Sequence, residues 1–366
     1  MTQNDMTPRL KVTFSRWWPL LLASIVLVFR LLAGPVTIER YYSRGLFPLL
    51  RVGWDNTIAR LPIPLFYVFW LLILGGVIWL SRRFLTERRK NEPAWGKLGR
   101  RLVNFIALLF SAFLLGWGFN YGRQSVETTM GFMPYQPTLS ELRTRVRAQA
   151  ITLGQLRARV TRDTQALSVA DFPADLEGSV RPLLREALLD HGYPAPGRPR
   201  ARRLRPKGVL LHLSTAGVYW PWAGEGNIDA GLHPLQQPSV MAHELAHAYG
   251  FGYEGTCTFW AWLAGRHAKD PALAYAFGLG YWRRIAGRLR QAEPEAYWEW
   301  RADSLDAGIR NDLQAIYDNA EQYRDIAPVV RDITYDAYLK AQGIHDGLLN
   351  YGRVVQLVEG YRKEKE

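Results

Sequence analysis

The residues most able to do chemistry are His243-Glu244-Leu245-Ala246-His247, an HExxH arrangement. Side chains four apart share one face of an α-helix, so two imidazoles at this spacing can reach a single ion. Glu244 falls about a third of a turn round, beside such an ion and not on it, where a carboxylate can take a proton from water. With seven His in 366 residues, composition alone predicts roughly 0.006 such motifs. A catalytic zinc site needs a third protein ligand and one open position. The motif does not continue to a third His, because Tyr253 stands where it would be. Two carboxylates compete for the role. Glu254 lies seven residues after His247, past the Gly250/Gly252 turn, and local geometry favours it. Glu299 lies in Glu299-Trp-Arg-Ala-Asp303, a short ExxAD pattern, and is the alternative. Cys257 lacks zinc-ligand spacing and reads as a small buried residue.

These groups must be held by regular elements. Pro238 and Ser239 open a helix that carries the motif to Gly250, a natural residue just past a helix end. Residues from Thr258 through Phe259–Trp262 continue as a second helix. Upstream, VLLHLSTAGVYWPW is rich in β-branched and aromatic residues and reads as one or two strands, followed by the turn-forming AGEGNIDAG. The strand around Val218-Tyr219-Trp220 could pair with an extended peptide at a sheet edge, or be internal. Leu139–Arg162 reads as an amphipathic helix with Leu142, Val146, Ile151 and Leu156 inward, and a further helix near Val180–Asp190 ends at Gly192. The Pro-, Gly- and Arg-rich stretch 191–208 reads as a solvated surface loop, with contact to anionic lipid headgroups as the alternative. The Trp-rich stretches FWAWLAGR and EAYWEWRAD read as core or membrane-proximal packing.

The first third has another character. Apolar runs at about 17–34, 63–80 and 102–119 each approach the roughly 20 residues of a membrane-spanning helix. Trp17, Trp18, Trp79 and Trp117 stand at run ends, as an interfacial belt would place them. The densest cations, Arg82, Arg83, Arg88, Arg89, Lys90, Lys97, Arg100 and Arg101, lie between the second and third runs. Short loops rich in Lys and Arg stay cytoplasmic, which puts the N-terminus inside and everything after Asn120 outside. The segment between the first two runs mixes aromatics, leucines and arginines, and is expected in the membrane interface or packed on the outer domain.

Much of the net charge of +13 is thus a topology signal. No Gly-rich phosphate loop is present and the basic stretches lack interleaved aromatics, so neither nucleotide nor nucleic acid is an expected partner. One Cys excludes an internal disulfide framework.

The ordered set STAGVYWPWAGEGNID, HELAHAYGFGYEGT and YDAYLKAQGIHDGLLNYGRVVQLV, with LFPLL and WGFNYGR, resembles the domain-of-unknown-function 3810 family over nearly the whole chain. These are bacterial membrane proteins that resemble gluzincin-type zinc metallopeptidases. Members typically read HELAHxxGFxxEDEAN, so the resemblance implies Glu254 as the third ligand. This chain departs at 255–258, where Gly-Thr-Cys-Thr replaces Asp-Glu-Ala-Asn.

The expected architecture is mainly α with a small β-sheet. Residues 1–120 form a three-helix anchor in the bacterial inner membrane, and 121–366 an extracytoplasmic, zincin-like domain. The expected activity is zinc-dependent peptide hydrolysis, with His243, His247 and Glu254 on Zn²⁺ and Glu244 as base. The alternative is a catalytically degenerate zincin that binds a peptide or serves as an envelope scaffold. Transition-state or substrate contacts are sought among Tyr219, Tyr338, His345, Tyr351 and Arg353. The expected partners are membrane lipid and a peptide or protein.

Overall fold

The computed structural model describes residues 7–325 and 352–366, with side chains from residue 16 onward. The chain divides into two compact units. The first comprises Met1–Leu50, Leu65–Arg123 and Pro221–Ala223, and the second Arg51–Pro64, Gln124–Trp220 and Gly224–Glu366.

The first unit is built on helices α1 (Thr7–Leu32), α2 (Pro35–Asn56, its last turns in the second unit), α3 (Leu65–Arg89) and α4 (Ala94–Gly116). Only α3 and α4 are by themselves long and apolar enough to cross a membrane among the described residues. A third crossing is counted if Arg16–Leu32 and Pro35–Asn56, bent by 111°, act as one. α1 packs along α4, and Asn104 donates to the Arg16 carbonyl at 2.8 Å. Trp17, Trp18 and Trp79 are exposed as a belt requires. Trp117 is not: it lies past the end of α4, buried edge-on against Tyr121. The turn Pro221–Ala223 belongs to this unit through Trp222, which stacks on Phe69 and donates its indole N–H to the Leu109 carbonyl at 3.0 Å.

The second unit is helical around one three-stranded sheet. Its helices are α5 (Val126–Met130), α6 (Leu139–Val160), α7 (Leu176–Asp190), α8 (Gln237–Ala248), α9 (Glu254–Arg266), α10 (Pro271–Ala292), α11 (Pro294–Ser304), α12 (Ala307–Glu321) and α13 (Arg353–Lys365). α6 begins with a capping box, Thr138 and Glu141 each satisfying the other's backbone N–H. Its inward face is Leu142, Val146, Ala150, Leu153 and Arg157, a run of three- and four-residue steps. Ile151 falls off that stripe and is exposed, against the sequence expectation, while Leu156 is half-buried. Phe259 and Trp260 are in the core, whereas Trp298 is exposed.

The sheet runs β1 (Ala201–Leu204), β3 (Glu225–Asp229), β2 (Gly217–Trp220), with β1 parallel and β2 antiparallel to β3. Three sequence expectations change here. VLLHL forms no strand, its last residues making a 3-10 turn at Leu211–Leu213. EGNID, expected as a turn, is the fully buried central strand. Part of the Arg-rich stretch is β1 and not a loop.

Ionic pairing and close approach explain the unusual composition of β3. Glu225 accepts from Arg202 at 2.8 Å, and Arg202 also donates to the carbonyls of Ala59 and Leu61. Asp229 accepts from the N–H groups of Gly208, Leu210 and Gly231 at 2.6–2.8 Å. Gly226 is required by α8, since a Cβ there would lie 2.6 Å from the Glu244 Cβ. The segment between the first two apolar runs contributes Arg51–Pro64 to this unit. Arg51 donates to the Gly224 carbonyl at 2.6 Å and pairs with Asp55, which accepts from the Arg198 N–H at 2.8 Å.

Gly226→Ala should therefore push α8 off the sheet. The expected cost is about 1–3 kcal/mol, as for other overpacked cores, read as a lowered melting temperature in detergent. Unchanged melting would contradict the close packing of α8 on β3.

Candidate metal centre

α8 carries the HExxH residues. Pro238 occupies its first turn, where a missing N–H costs nothing, and Gly250 (φ +90°) takes the left-handed turn that sends the chain back. The helix starts at Gln237, two residues before the expected cap, and Ser239 turns its hydroxyl to the Ala276 carbonyl at 3.5 Å. After the Gly250 turn, α9 begins at Glu254 itself, so this carboxylate projects from a first helical turn toward α8.

Three atoms converge. His243 Nε2 lies 2.9 Å from Glu254 Oε2 and 3.2 Å from His247 Nε2, and His247 Nε2 lies 3.6 Å from the same Glu254 oxygen. A tetrahedral zinc with ligand bonds of about 2.0–2.1 Å has ligand–ligand edges of about 3.3–3.4 Å. The residues fit that ion.

Hydrogen bonding behind the rings fixes which nitrogen faces the centre. Thr258 Oγ1 donates its single proton to the Glu254 carbonyl at 3.0 Å, so it accepts from His243 Nδ1–H, also at 3.0 Å. The Phe251 carbonyl, an acceptor only, takes the Nδ1–H of His247 at 2.7 Å. Both imidazoles thus turn their Nε2 atoms inward, oriented as metal-binding histidines are by partners on the far nitrogen.

Cys257 is a competing donor. With His243 and His247 it forms a group whose ligand atoms lie within 4.8 Å of one another. Its sulfur, however, is 3.3 Å from His247 Nδ1 and 3.2 Å from the Phe251 carbonyl, on the far side of the ring from Nε2. Burial pushes the thiol up to about 11, so it stays protonated. It buttresses the ring; the geometry favours Glu254 as the third donor.

The charges agree. Burial would push the Glu254 carboxyl up, but His247 and His243 outweigh it and hold it well below the usual carboxylate range. Burial opposes a charge on His247, yet Cys257 and Glu254 prevail and raise it well above its ordinary value. Burial lowers His243. Glu244 lies in a slot between α8 and the sheet, where Cβ atoms at Gly217 or Gly226 would clash with it. Burial pushes its carboxyl up to about 8 against the pull of His247, and its Oε2 has no hydrogen-bond partner among the described residues.

Tyr219 stacks on the His247 ring, with centroids 6.2 Å apart. Its hydroxyl is hydrogen-bonded to Arg51, and burial pushes it up to about 12. Glu299 is exposed on α11 and is not brought to the cluster, since its helix stays on the surface there. Arg353 begins α13 and pairs with Glu127 of α5, away from the imidazoles. Tyr338, His345 and Tyr351 lie outside the described residues. Thr258 and Phe251 are the positioning groups that spacing alone did not single out; a hydroxyl one turn after Glu254 was the available signal.

Thr258→Val removes the acceptor behind His243 at nearly constant volume. Zinc affinity, measured by competition with a chelator, should fall about 10–100-fold, as for other such outer partners, while Glu299→Gln leaves it unchanged. The reverse order would assign the third donor to Glu299.

The sequence profile described as "Protein of unknown function (DUF3810)" matches residues 42–358. No curated protein and no solved structure matches the chain. With the profile spanning both units, the chain belongs to the DUF3810 family.

Proposed function

We propose that this chain is a membrane-anchored, zinc-dependent peptidase with His243, His247 and Glu254 as ligands and Glu244 as general base. The observation that carries the reading is the convergence of three donor atoms whose imidazole Nε2 faces are set by Thr258 and Phe251. Zinc held there would supply Lewis acidity, polarising the scissile carbonyl and lowering the pKa of water to about 7. Ionised Glu244 takes a proton from the attacking water and passes it to the leaving nitrogen. Tyr219 stays neutral and stacks on His247, and in this reading its hydroxyl would donate to a developing oxyanion. β2 is an edge strand, so its outer backbone groups can align an extended peptide. In this reading the second unit lies on the extracytoplasmic side, because the basic α3–α4 connection stays in the cytoplasm.

A second reading, zinc and peptide binding without hydrolysis, is favoured by the burial that keeps Glu244 protonated below about 8 unless a cation lies beside it. One experiment separates the two. Purified protein is assayed for zinc per chain and for cleavage of a peptide library. The first reading expects about one zinc, lost in His247→Ala, and cleavage that disappears in Glu244→Gln while zinc remains. Zinc without cleavage in the wild type would leave only the binding role.

The raised Glu244 has a further consequence for metal-free protein. Between the unfolded carboxyl range near 4.5 and about 8, the unfolded chain has released this proton and the folded chain has not. Stability contributed by the neutral carboxyl therefore falls as pH rises across that window and levels off above it. Glu244→Gln, which cannot ionise, should melt higher than wild type by a gap that widens from pH 5 to pH 8 to about 5 °C or more. A gap independent of pH would show that Glu244 is already ionised in the apo fold.

A further inference from the structure

The face that α2 leaves uncovered has the opposite polarity from that of a helix in water. Val36, Tyr41, Leu46, Leu49 and Leu50 are each 42–71% exposed, whereas Glu39, Ser43, Arg51 and Asp55 are buried. The inward polar groups are matched: Arg123 donates to both oxygens of Glu39 at 2.9 Å, Ser43 donates to Asn120 at 2.8 Å, and Tyr42 donates to the Leu115 carbonyl at 2.8 Å. Between residues 35 and 50 the exposed face carries a single ion, Arg40.

The backbone keeps this arrangement in register. Inward residues recur at Glu39, Ser43, Phe47, Arg51 and Asp55, a strict spacing of four. In a plain α-helix that spacing drifts by about 40° per step. The wider π turns over Ile38–Leu46 offset the drift. α2 thus presents one continuous apolar face, beginning where Leu31 and Leu32 end α1 with exposed side chains.

We propose that Pro35–Leu50 lies flat in the lipid interface, its outer face embedded in the acyl-chain boundary of the bilayer that α3 and α4 cross. Three observations favour lipid over a protein partner. The face continues the apolar surface of α1 in the same unit. It offers little polar chemistry to specify a docking register, Arg40 and the hydroxyls of Thr37 and Tyr41 being the exceptions. The helix turns 111° from α1, which packs along the apolar helix α4, so α2 runs close to perpendicular to the direction of crossing, as an in-plane helix must.

The full chain, reconstituted in phosphatidylethanolamine–phosphatidylglycerol vesicles, tests this with nitroxides on single engineered cysteines. Native Cys257 is fully buried and stays unlabelled. Val36→Cys and Leu49→Cys probe the face, Leu72→Cys on α3 is the lipid reference, and Ile151→Cys on α6 is the water reference, all four at exposed positions. Each labelled protein is first matched to wild type by circular dichroism. Labels at 36 and 49 should collide with oxygen in preference to a water-soluble nickel chelate several-fold more than the label at 151. Their depths should agree within about 5 Å although 13 residues, about 20 Å of helix, separate them. Nickel access equal to that at 151 would overturn the proposal. So would a depth difference approaching 20 Å, which means a crossing segment, or dipolar broadening between Leu49→Cys labels at high lipid dilution, which means a second copy covers the face.

Discussion

Two imidazole nitrogens and one carboxylate oxygen are held within 2.9–3.6 Å of one another in a buried place, and each is an acceptor of positive charge. Such a cluster demands a cation or a proton at its centre. The rest of the second unit can be understood as the means of sustaining that demand. α8 sets the two rings four residues apart, the Gly250 turn reverses the chain, and the first turn of α9 delivers Glu254 together with the Thr258 hydroxyl that orients His243. Of the four positions at which this chain departs from the motif it resembles, 255–258, Cys257 and Thr258 lie behind the imidazoles and not between them. The substitutions alter how the rings are supported while leaving the converging atoms in place.

The sheet serves the same arrangement from the other side. Its central strand has two acids, an amide and a glycine among five residues, a composition that disfavours strands in isolation. It is stable here because both acids are hydrogen-bonded and the glycine allows close packing. Glu225 neutralises Arg202, Asp229 gathers loop N–H groups, and Gly226 makes room for the Glu244 side chain. Arg51, from the segment between the first two apolar runs, is paired with Asp55, bonds the Gly224 carbonyl ahead of β3 and reaches the Tyr219 hydroxyl. Tyr219 in turn stacks on His247.

The parts of this arrangement that were legible in the sequence are those dictated by local spacing. HExxH between Pro238 and Gly250 defines the helix, and seven residues past His247 suffice to bring Glu254 back. The apolar runs and the strand through Val218, Tyr219 and Trp220 follow from composition and periodicity, whereas the place of that strand at the edge of the sheet depends on β1 and β3 and was not legible. Features that depend on partners distant in sequence were not legible. EGNID looks like a turn until Arg202 and Glu244 are beside it, and the arginines of 198–207 look solvated until β1 pairs with β3. Ile151 fits an inward stripe only if the helix is turned away from the face that Leu153 and Arg157 occupy. Trp117 stands at the end of an apolar run, but the chain folds over it. Glu299 drew attention by a short ExxAD pattern and Arg353 by residue type; the first is exposed on α11 and the second pairs with Glu127.

The central claim is that Nε2 of both histidines and a carboxylate oxygen, with no sulfur, define the ion site. X-ray absorption at the zinc edge of zinc-loaded protein tests it directly. The account predicts a first shell of nitrogen and oxygen at about 2.0–2.1 Å with imidazole scattering from two rings. A sulfur scatterer at about 2.3 Å would place Cys257 on the metal and contradict the assignment.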